Sequence, residues 1–173
     1  MILLVEPTLA DKEQLAAYRA SFLEDNETIH GGSGLETAET IEKWLELQEA
    51  YKSPATVPAG HVISRVYLAK QADTVIGILN LRLELNDYLL QQGGHIGYSV
   101  KKTYRQKGYG TAMLAQSLSI AKNFEIEKVL VTCDDHNQAS AKVIEKNGGQ
   151  LEDIWIDPVN GNSTRRYWLS TNN

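Results

Sequence analysis

Hydrophobic and polar positions follow two different periods along this chain, and the switches between them outline its elements. Ile2 to Val5 is a short apolar run stopped by Pro7, which predicts a strand. Thr8, with Asp11 three residues on, resembles a capping box, and Leu15, Tyr18 and Phe22 follow at helical spacing. The glycine-rich stretch His30-Gly31-Gly32-Ser33-Gly34 breaks that helix. A second helix is predicted from about Glu36 to Tyr51, with Ile41, Trp44, Leu45 and Tyr51 on one side. Pro54 and Pro58 make residues 53–60 a loop.

Strand signals then cover Val62 to Lys70 and Val75 to Leu85, with a hairpin turn at 71–74. In the second strand, alternation puts Ile76, Ile78, Asn80, Arg82 and Glu84 on one face and Leu79, Leu81, Leu83 and Leu85 on the other. The first face turns polar toward its end, so it is either solvated or lining a site. Another strand is predicted from Gly93 to Lys101, a basic loop from Thr103 to Lys107, and a helix from Gly108 to Asn123. Glu127 to Thr132 reads as a continuous apolar strand, and Asn137 to Asn147 as a helix ended by Gly148-Gly149. Strands at Leu151 to Ile156 and Ser163 to Leu169 close the pattern. The order β-α-α-β-β-β-α-β-α-β-β describes one mixed α/β domain, a size that suits 173 residues.

Charge changes this picture. The net charge is -5, but it is unevenly distributed. Met1 to Asp87 carries 14 acids against 7 bases, Tyr88 to Phe124 has five bases and no acid, and Glu125 to Asn173 has 8 acids against 5 bases. A mildly acidic chain of this kind is not a general binder of nucleic acid or membrane surfaces. Its acid-free stretch points to a local anion site. The single cysteine, Cys133, cannot form an internal disulfide and reads as a small buried residue. There is no signal-peptide pattern and no apolar run near the roughly 20 residues of a membrane span, so a cytoplasmic protein is expected.

Within the acid-free stretch, strand, basic loop and helix follow directly. The loop is Arg105-Gln106-Lys107-Gly108-Tyr109-Gly110-Thr111. A helix N-terminus offers unpaired N–H groups and a positive dipole end, and glycine lets an anion approach the backbone. Taken alone, Gly108 and Gly110 also fit an ordinary strand-to-helix turn. Neither a P-loop nor a dinucleotide-binding glycine fingerprint is present, which weakens a nucleotide-phosphate binder.

The pattern Arg105-x-x-Gly108-x-Gly110 instead resembles the pyrophosphate motif of the GNAT superfamily of acyl-CoA N-acyltransferases. Tyr98-Ser99-Val100 before it, Ala112-Met113-Leu114 after it, and Val129-Leu130-Val131 through Asn137-x-x-Ser140 and Glu145-Lys146-Asn147-Gly148 extend the resemblance. Asn137-x-x-Ser140 looks closest to the branch with ribosomal-protein N-terminal acetyltransferases. The resemblance implies a mixed, mostly antiparallel sheet flanked by helices, with acetyl-CoA as acyl donor and an amine as acceptor. It implies that Tyr98 to Val100 pair with the pantetheine arm, and that backbone N–H groups from Gln106 to Thr111 hold the diphosphate, with charge from Arg105 and Lys107. It further implies that Asn137 binds the pantetheine arm, with Ser140 nearby. On the residues alone, Asn137 and Ser140 equally fit a helix N-cap and polar first turn. A homodimer is compatible with the resemblance.

Such a transfer needs a general base for the amine and an N–H donor for the carbonyl oxygen. The resemblance puts that donor near Tyr98 to Ser99. Base candidates are His95, Glu84 and Asp134, with Asp135 beside the last; each also has a purely structural or solvated reading. The tyrosine that many family members carry seven residues after the asparagine is Ile144 here, so no general acid is named. This departure keeps a non-catalytic acyl-CoA-binding module in view. The acceptor pocket is expected from Ser21 to Tyr51 and Asp157 to Arg166, where Glu24, Asp25, Glu27, Glu36 and Glu39 would suit a cationic amine.

Overall fold

The computed structural model describes residues 1–172. Its strands are β1 (Leu3–Val5), β2 (Ser64–Gln71), β3 (Thr74–Arg82), β4 (Ile96–Val100), β5 (Lys128–Asp134), β6 (Gln150–Ile156) and β7 (Ser163–Ser170). Its α-helices are α1 (Lys12–Glu24), α2 (Ile41–Ala50), α3 (Tyr109–Asn123) and α4 (Gln138–Lys146). The predicted order is reproduced, and one seven-stranded sheet runs β1-β2-β3-β4-β5-β7-β6. All pairings are antiparallel except β4 with β5.

Each face of the sheet buries a separate core. Leu15, Tyr18 and Phe22 of α1 and Ile41 and Trp44 of α2 pack on Val66, Leu68, Val75 and Ile78. On the other face, Met113, Leu114 and Leu118 of α3 and Ala141 and Ile144 of α4 cover Leu79, Leu81, Ile96, Val129 and Val131. The capping pair forms as the spacing predicts: the Thr8 N–H donates to Asp11 Oδ2 at 2.8 Å and starts the turn into α1.

Two local departures follow from backbone geometry. Ile76 and Ile78 do not share a face: Ile76 joins the α3/α4 core and Ile78 the α1/α2 core. The register shifts at this point, from Ala69↔Gly77 to Lys70↔Val75, so a bulge at Ile76 resets the alternation. The β3 strand also stops at Arg82 rather than Leu85, and a π-helical turn over Leu89–Gly93 leads back to β4.

Candidate active site

The cleft begins where β4 and β5 part. These parallel neighbours share a single bridge, Ile96↔Val131. The Arg82 N–H donates to the His95 carbonyl at 2.7 Å, and the Lys101 N–H to the Ile76 carbonyl at 2.8 Å. These two bonds fix the alternation of β4: odd-numbered residues direct their backbone groups to β3, even-numbered residues to β5. Tyr98 therefore turns its N–H and C=O toward the opened side. A cavity of about 810 Å³ follows, lined along β4 from Ile96 to Val100.

At one end of the cavity stands the N-terminus of α3. Gly108 is its N-cap residue with φ 81, and Gln106 before it also has positive φ, at 61. The first intrahelical bond runs from the Ala112 N–H to the Gly108 carbonyl at 3.0 Å, so the N–H groups of Tyr109, Gly110 and Thr111 have no intrahelical acceptor. A Cβ on Gly108 would meet no atom within 4 Å, which leaves open space over the loop. Lys142 and Lys146 of α4 line the same end. This is an anion cradle of backbone donors with lysines nearby, and it fits a diphosphate.

Arg105 lines the cavity, but its charge is already partnered. Its guanidinium pairs in fork fashion with Glu27, its Nε donates to the Val100 carbonyl at 2.9 Å, and its Cζ lies 5.7 Å from the Phe22 ring centroid. It ties the glycine-containing loop before α3 to the segment after α1. The Lys107 Nζ reaches the Thr103 carbonyl at 2.9 Å over the Tyr104 ring and remains exposed. Two bases of the acid-free stretch thus meet acids from the N-terminal segment, because Lys102 pairs with Asp25 at 3.1 Å. The Glu27 carboxyl is held below its ordinary range by the hydrogen bond from Arg105.

Asn137 caps α4, its side chain accepting the Ser140 N–H at 3.0 Å. The Ser140 hydroxyl lies 3.1 Å from the Tyr98 hydroxyl, and both residues line the cavity. Burial pushes the Tyr98 phenol up from its ordinary value. Ser99 faces the opposite way. Its hydroxyl lies 3.0 Å from the Tyr18 hydroxyl, its carbonyl accepts from that group at 3.1 Å, and its backbone is directed to β3. The cleft-facing N–H is therefore that of Tyr98 and not that of Ser99.

Three of the candidates fall away on geometry. The Nδ1 of His95 accepts the Leu130 N–H at 2.9 Å. In the neutral ring the proton is then on Nε2, so no lone pair is left to receive one. Burial and the nearby Arg82 charge lower its pKa to about 4, and it does not line the cavity. Glu84 lies past the end of β3, exposed and outside the lining. Asp135 is bound to the Arg165 Nε at 2.6 Å. Asp134 does line the cavity, and among the described residues its side chain is in no ion pair.

The other end of the cavity is built by residues that sequence periodicity did not single out. Thr28, His30 and Gly31 come from the loop after α1, and Arg82, Tyr88, Gln92 and Gly93 from the end of β3 and the π-helical turn. Of the final hairpin only Thr164 takes part. Gly31 lies directly on β4: a Cβ there would stand 2.3 Å from the Gly97 carbonyl oxygen. The acids expected to draw a cationic amine have other partners or lie outside the lining. Glu36 accepts the Ile29 N–H, Glu39 pairs with Lys43, and Glu24 is exposed and outside the cavity.

Residues 2–150 match the family model of the acetyltransferase (GNAT) domain. No curated protein matches the sequence. Among solved structures, the chain is similar to mutant forms of the spermidine/spermine N-acetyltransferase SpeG from Vibrio cholerae, at 15% identity and TM-score 0.67, covering 98% of this chain and 94% of that one. It is also similar to RimJ from Mycobacterium smegmatis in complex with CoA-disulfide, at 16% identity and TM-score 0.69, over 98% and 81% of the two chains. A third is yncA from Salmonella typhimurium with acetyl-CoA, at 13% identity and TM-score 0.63, over 98% and 94%. At these identities the likeness is one of fold, whereas the family model spans most of the chain, and the chain belongs to the GNAT acetyltransferase family.

Proposed function

We propose that the protein is an acetyl-CoA-dependent N-acetyltransferase that acts by direct attack of a primary amine. The observation that carries this reading is the opened β4 edge at Tyr98 leading to the uncapped N-terminus of α3. Bound acetyl-CoA would supply a thioester carbonyl as the electrophile. Backbone N–H groups of Tyr109 to Thr111, with Lys107, Lys142 and Lys146, hold the diphosphate. The Tyr98 and Val100 backbone faces the pantetheine arm, and the Asn137 amide adds a polar group at the mouth of α4. The Tyr98 N–H donates to the developing negative charge on the carbonyl oxygen. His30 and Asp134 accept the amine proton, directly or through water; both line the cavity and neither side chain is in an ion pair among the described residues. The buried Tyr98 phenol, beside Ser140, stays protonated at neutral pH and returns a proton to the departing thiolate. A reducing, cytoplasmic setting suits the single, buried, free thiol of Cys133, which burial pushes up to about 11.

Thiol release from acetyl-CoA across a panel of primary amines tests the reading. Turnover on an amine, lowered at least tenfold by Asp134→Asn or His30→Gln, is the expected result. Tight CoA binding with no turnover on any amine would leave a binding module in its place.

A further inference from the structure

Arg82 ends β3 and enters the cavity wall at the end remote from the cofactor loop. Its Nη1 donates to the carbonyls of Gly93 at 3.0 Å and Gly94 at 3.1 Å. Its Nη2 lies over the β4 backbone, 3.6 Å from where a Cβ on Gly97 would stand. The turn that supplies the two carbonyls depends on glycine. Gly94 has φ 64, and a Cβ there would come within 2.5 Å of the Leu130 carbonyl oxygen.

No carboxylate answers this charge. Arg105, Arg165 and Arg166 each meet an acid; Arg19, Arg65 and Arg82 are in no ion pair among the described residues, and of these three Arg82 alone lines the cavity. Its surroundings are enclosed enough that burial lowers its pKa; the Tyr88 phenol opposes that effect in part, and no carboxylate does. A desolvated cation without a counter-ion is unfavourable for folding unless a ligand supplies the opposite charge. A guanidinium has five N–H donors in a planar fork, and the two carbonyls occupy only the Nη1 side. The Nη2 side keeps donors suited to an oxyanion.

The rest of this end of the cavity agrees. Thr28, His30 and Gln92 are polar without acidic charge, and Tyr88 adds a phenol. The acids among the lining residues are Glu27, bound to Arg105, and Asp134. Besides Lys142 and Lys146 beside the α3 N-terminus, the cavity thus offers an unpaired cation at this end, Arg82, and a separate unpaired acid, Asp134.

The geometry points to Arg82 as the residue that selects the acceptor, by binding an anionic group, a carboxylate in the first instance, carried on the same molecule as the amine. The acceptor class is then an amino-acid-like zwitterion, its ammonium drawn by Asp134 and its carboxylate held by Arg82. This rests on the transferase reading above and narrows it. A role confined to bracing the Gly93-Gly94 turn would move stability and all acceptors together, without any preference for charge.

The test uses matched pairs: free α-amino acids against their carboxamides, and phosphoethanolamine against ethanolamine. The anionic member of the first pair is expected to show kcat/KM higher by about tenfold to a hundredfold, the range for charge-assisted hydrogen bonds. In Arg82→Gln and Arg82→Lys the ratio should fall toward one in the first variant and partly in the second, whatever the absolute rates. A preference confined to the phosphate pair would assign the anion as a phosphate and overturn the carboxylate. Acetylation of both members at equal rates by the unaltered protein overturns the inference and leaves the transferase reading standing. A second measurement needs no turnover: calorimetric binding of N-acetylamino acids and their amides to the CoA-loaded protein. Binding that favours the carboxylate and depends on Arg82 supports the anion site; if no amine is acetylated as well, the transferase reading fails and acceptor selection is overturned with it, leaving Arg82 as a carboxylate-binding residue. Equal binding of acid and amide, unchanged in Arg82→Gln, overturns it.

Discussion

His95 and Leu130 are joined twice: the Leu130 carbonyl accepts the His95 N–H at 2.7 Å, and the His95 Nδ1 accepts the Leu130 N–H at 2.9 Å. The imidazole stands where a strand carbonyl would, so β4 and β5 are pinned at one end and free to part beyond Ile96↔Val131. The cleft opens beyond that pin.

This arrangement predicts a pH dependence of stability. The folded-state pKa of His95 is lowered to about 4 by burial and by Arg82, below its ordinary value of 6.5. The unfolded chain therefore binds the proton more readily, and the stabilisation is full above about pH 6.5 and lost as pH falls toward 4, on the order of 3 kcal/mol in all. Denaturant melts from pH 7.5 to 4.5 should show the loss, and His95→Gln should flatten it. A turnover profile whose acid limb vanishes in His95→Gln at unchanged stability would instead make His95 the base.

Gly108 and Gly110 should respond in opposite ways. At φ 81, Gly108→Ala costs about 1 kcal/mol of stability, and Gly108→Asp adds a carboxylate to the anion cradle and should raise the CoA dissociation constant at least tenfold. A Cβ on Gly110 would meet Val143 and Tyr98 at ordinary distances of 3.5 and 3.6 Å, so Gly110→Ala should be neutral or stabilise α3 by up to about 1 kcal/mol. Calorimetry with CoA and thermal melts read both; equal loss of affinity in the two alanine variants would move the cradle elsewhere.

The fork between Arg105 and Glu27 should contribute modestly, because both side chains are more than a third or near a third exposed. A double-mutant cycle with Arg105→Ala and Glu27→Ala should return a coupling of about 0.5–1 kcal/mol. Arg105→Ala alone should cost more than Glu27→Ala, since it also releases the Val100 carbonyl and the Phe22 face. Equal single-variant effects would mean that those two contacts add nothing.

Tyr98→Phe removes the hydroxyl beside Ser140 but leaves the strand backbone in place. It should lower kcat by tenfold or more, in the range of roughly a hundredfold for general acid–base groups, with CoA affinity within threefold. An unchanged kcat would transfer the proton-return step to water.

The element order and the glycine turn into α3 were legible in the sequence because both are local: period, caps and glycine spacing sit within a few residues. The partners of the charges were not. A count of bases from Tyr88 to Phe124 cannot reveal that Lys102 meets Asp25 and Arg105 meets Glu27, 77 and 78 residues away. Strand alternation put His95 on a face with Gly97 and Ser99, but the positive φ at Gly94 turns the chain just before it, and its ring lies along the gap between strands. Arg82 was visible as a polar position on an apolar strand; its lack of a counter-ion was not, since that depends on every acid in the fold.

The contact between Gly31 and Gly97 limits how such an enzyme can diversify. With a Cβ at 31 standing 2.3 Å from the Gly97 carbonyl oxygen, position 31 tolerates no side chain unless the loop after α1 lifts from β4, while a Cβ at 97, 3.2 Å from the Gly31 nitrogen, needs that loop to give by a few tenths of an ångström. Given the proposed acceptor site, a new acceptor preference is channelled into Thr28, His30, Arg82, Tyr88 and Gln92, which line the cavity around that contact.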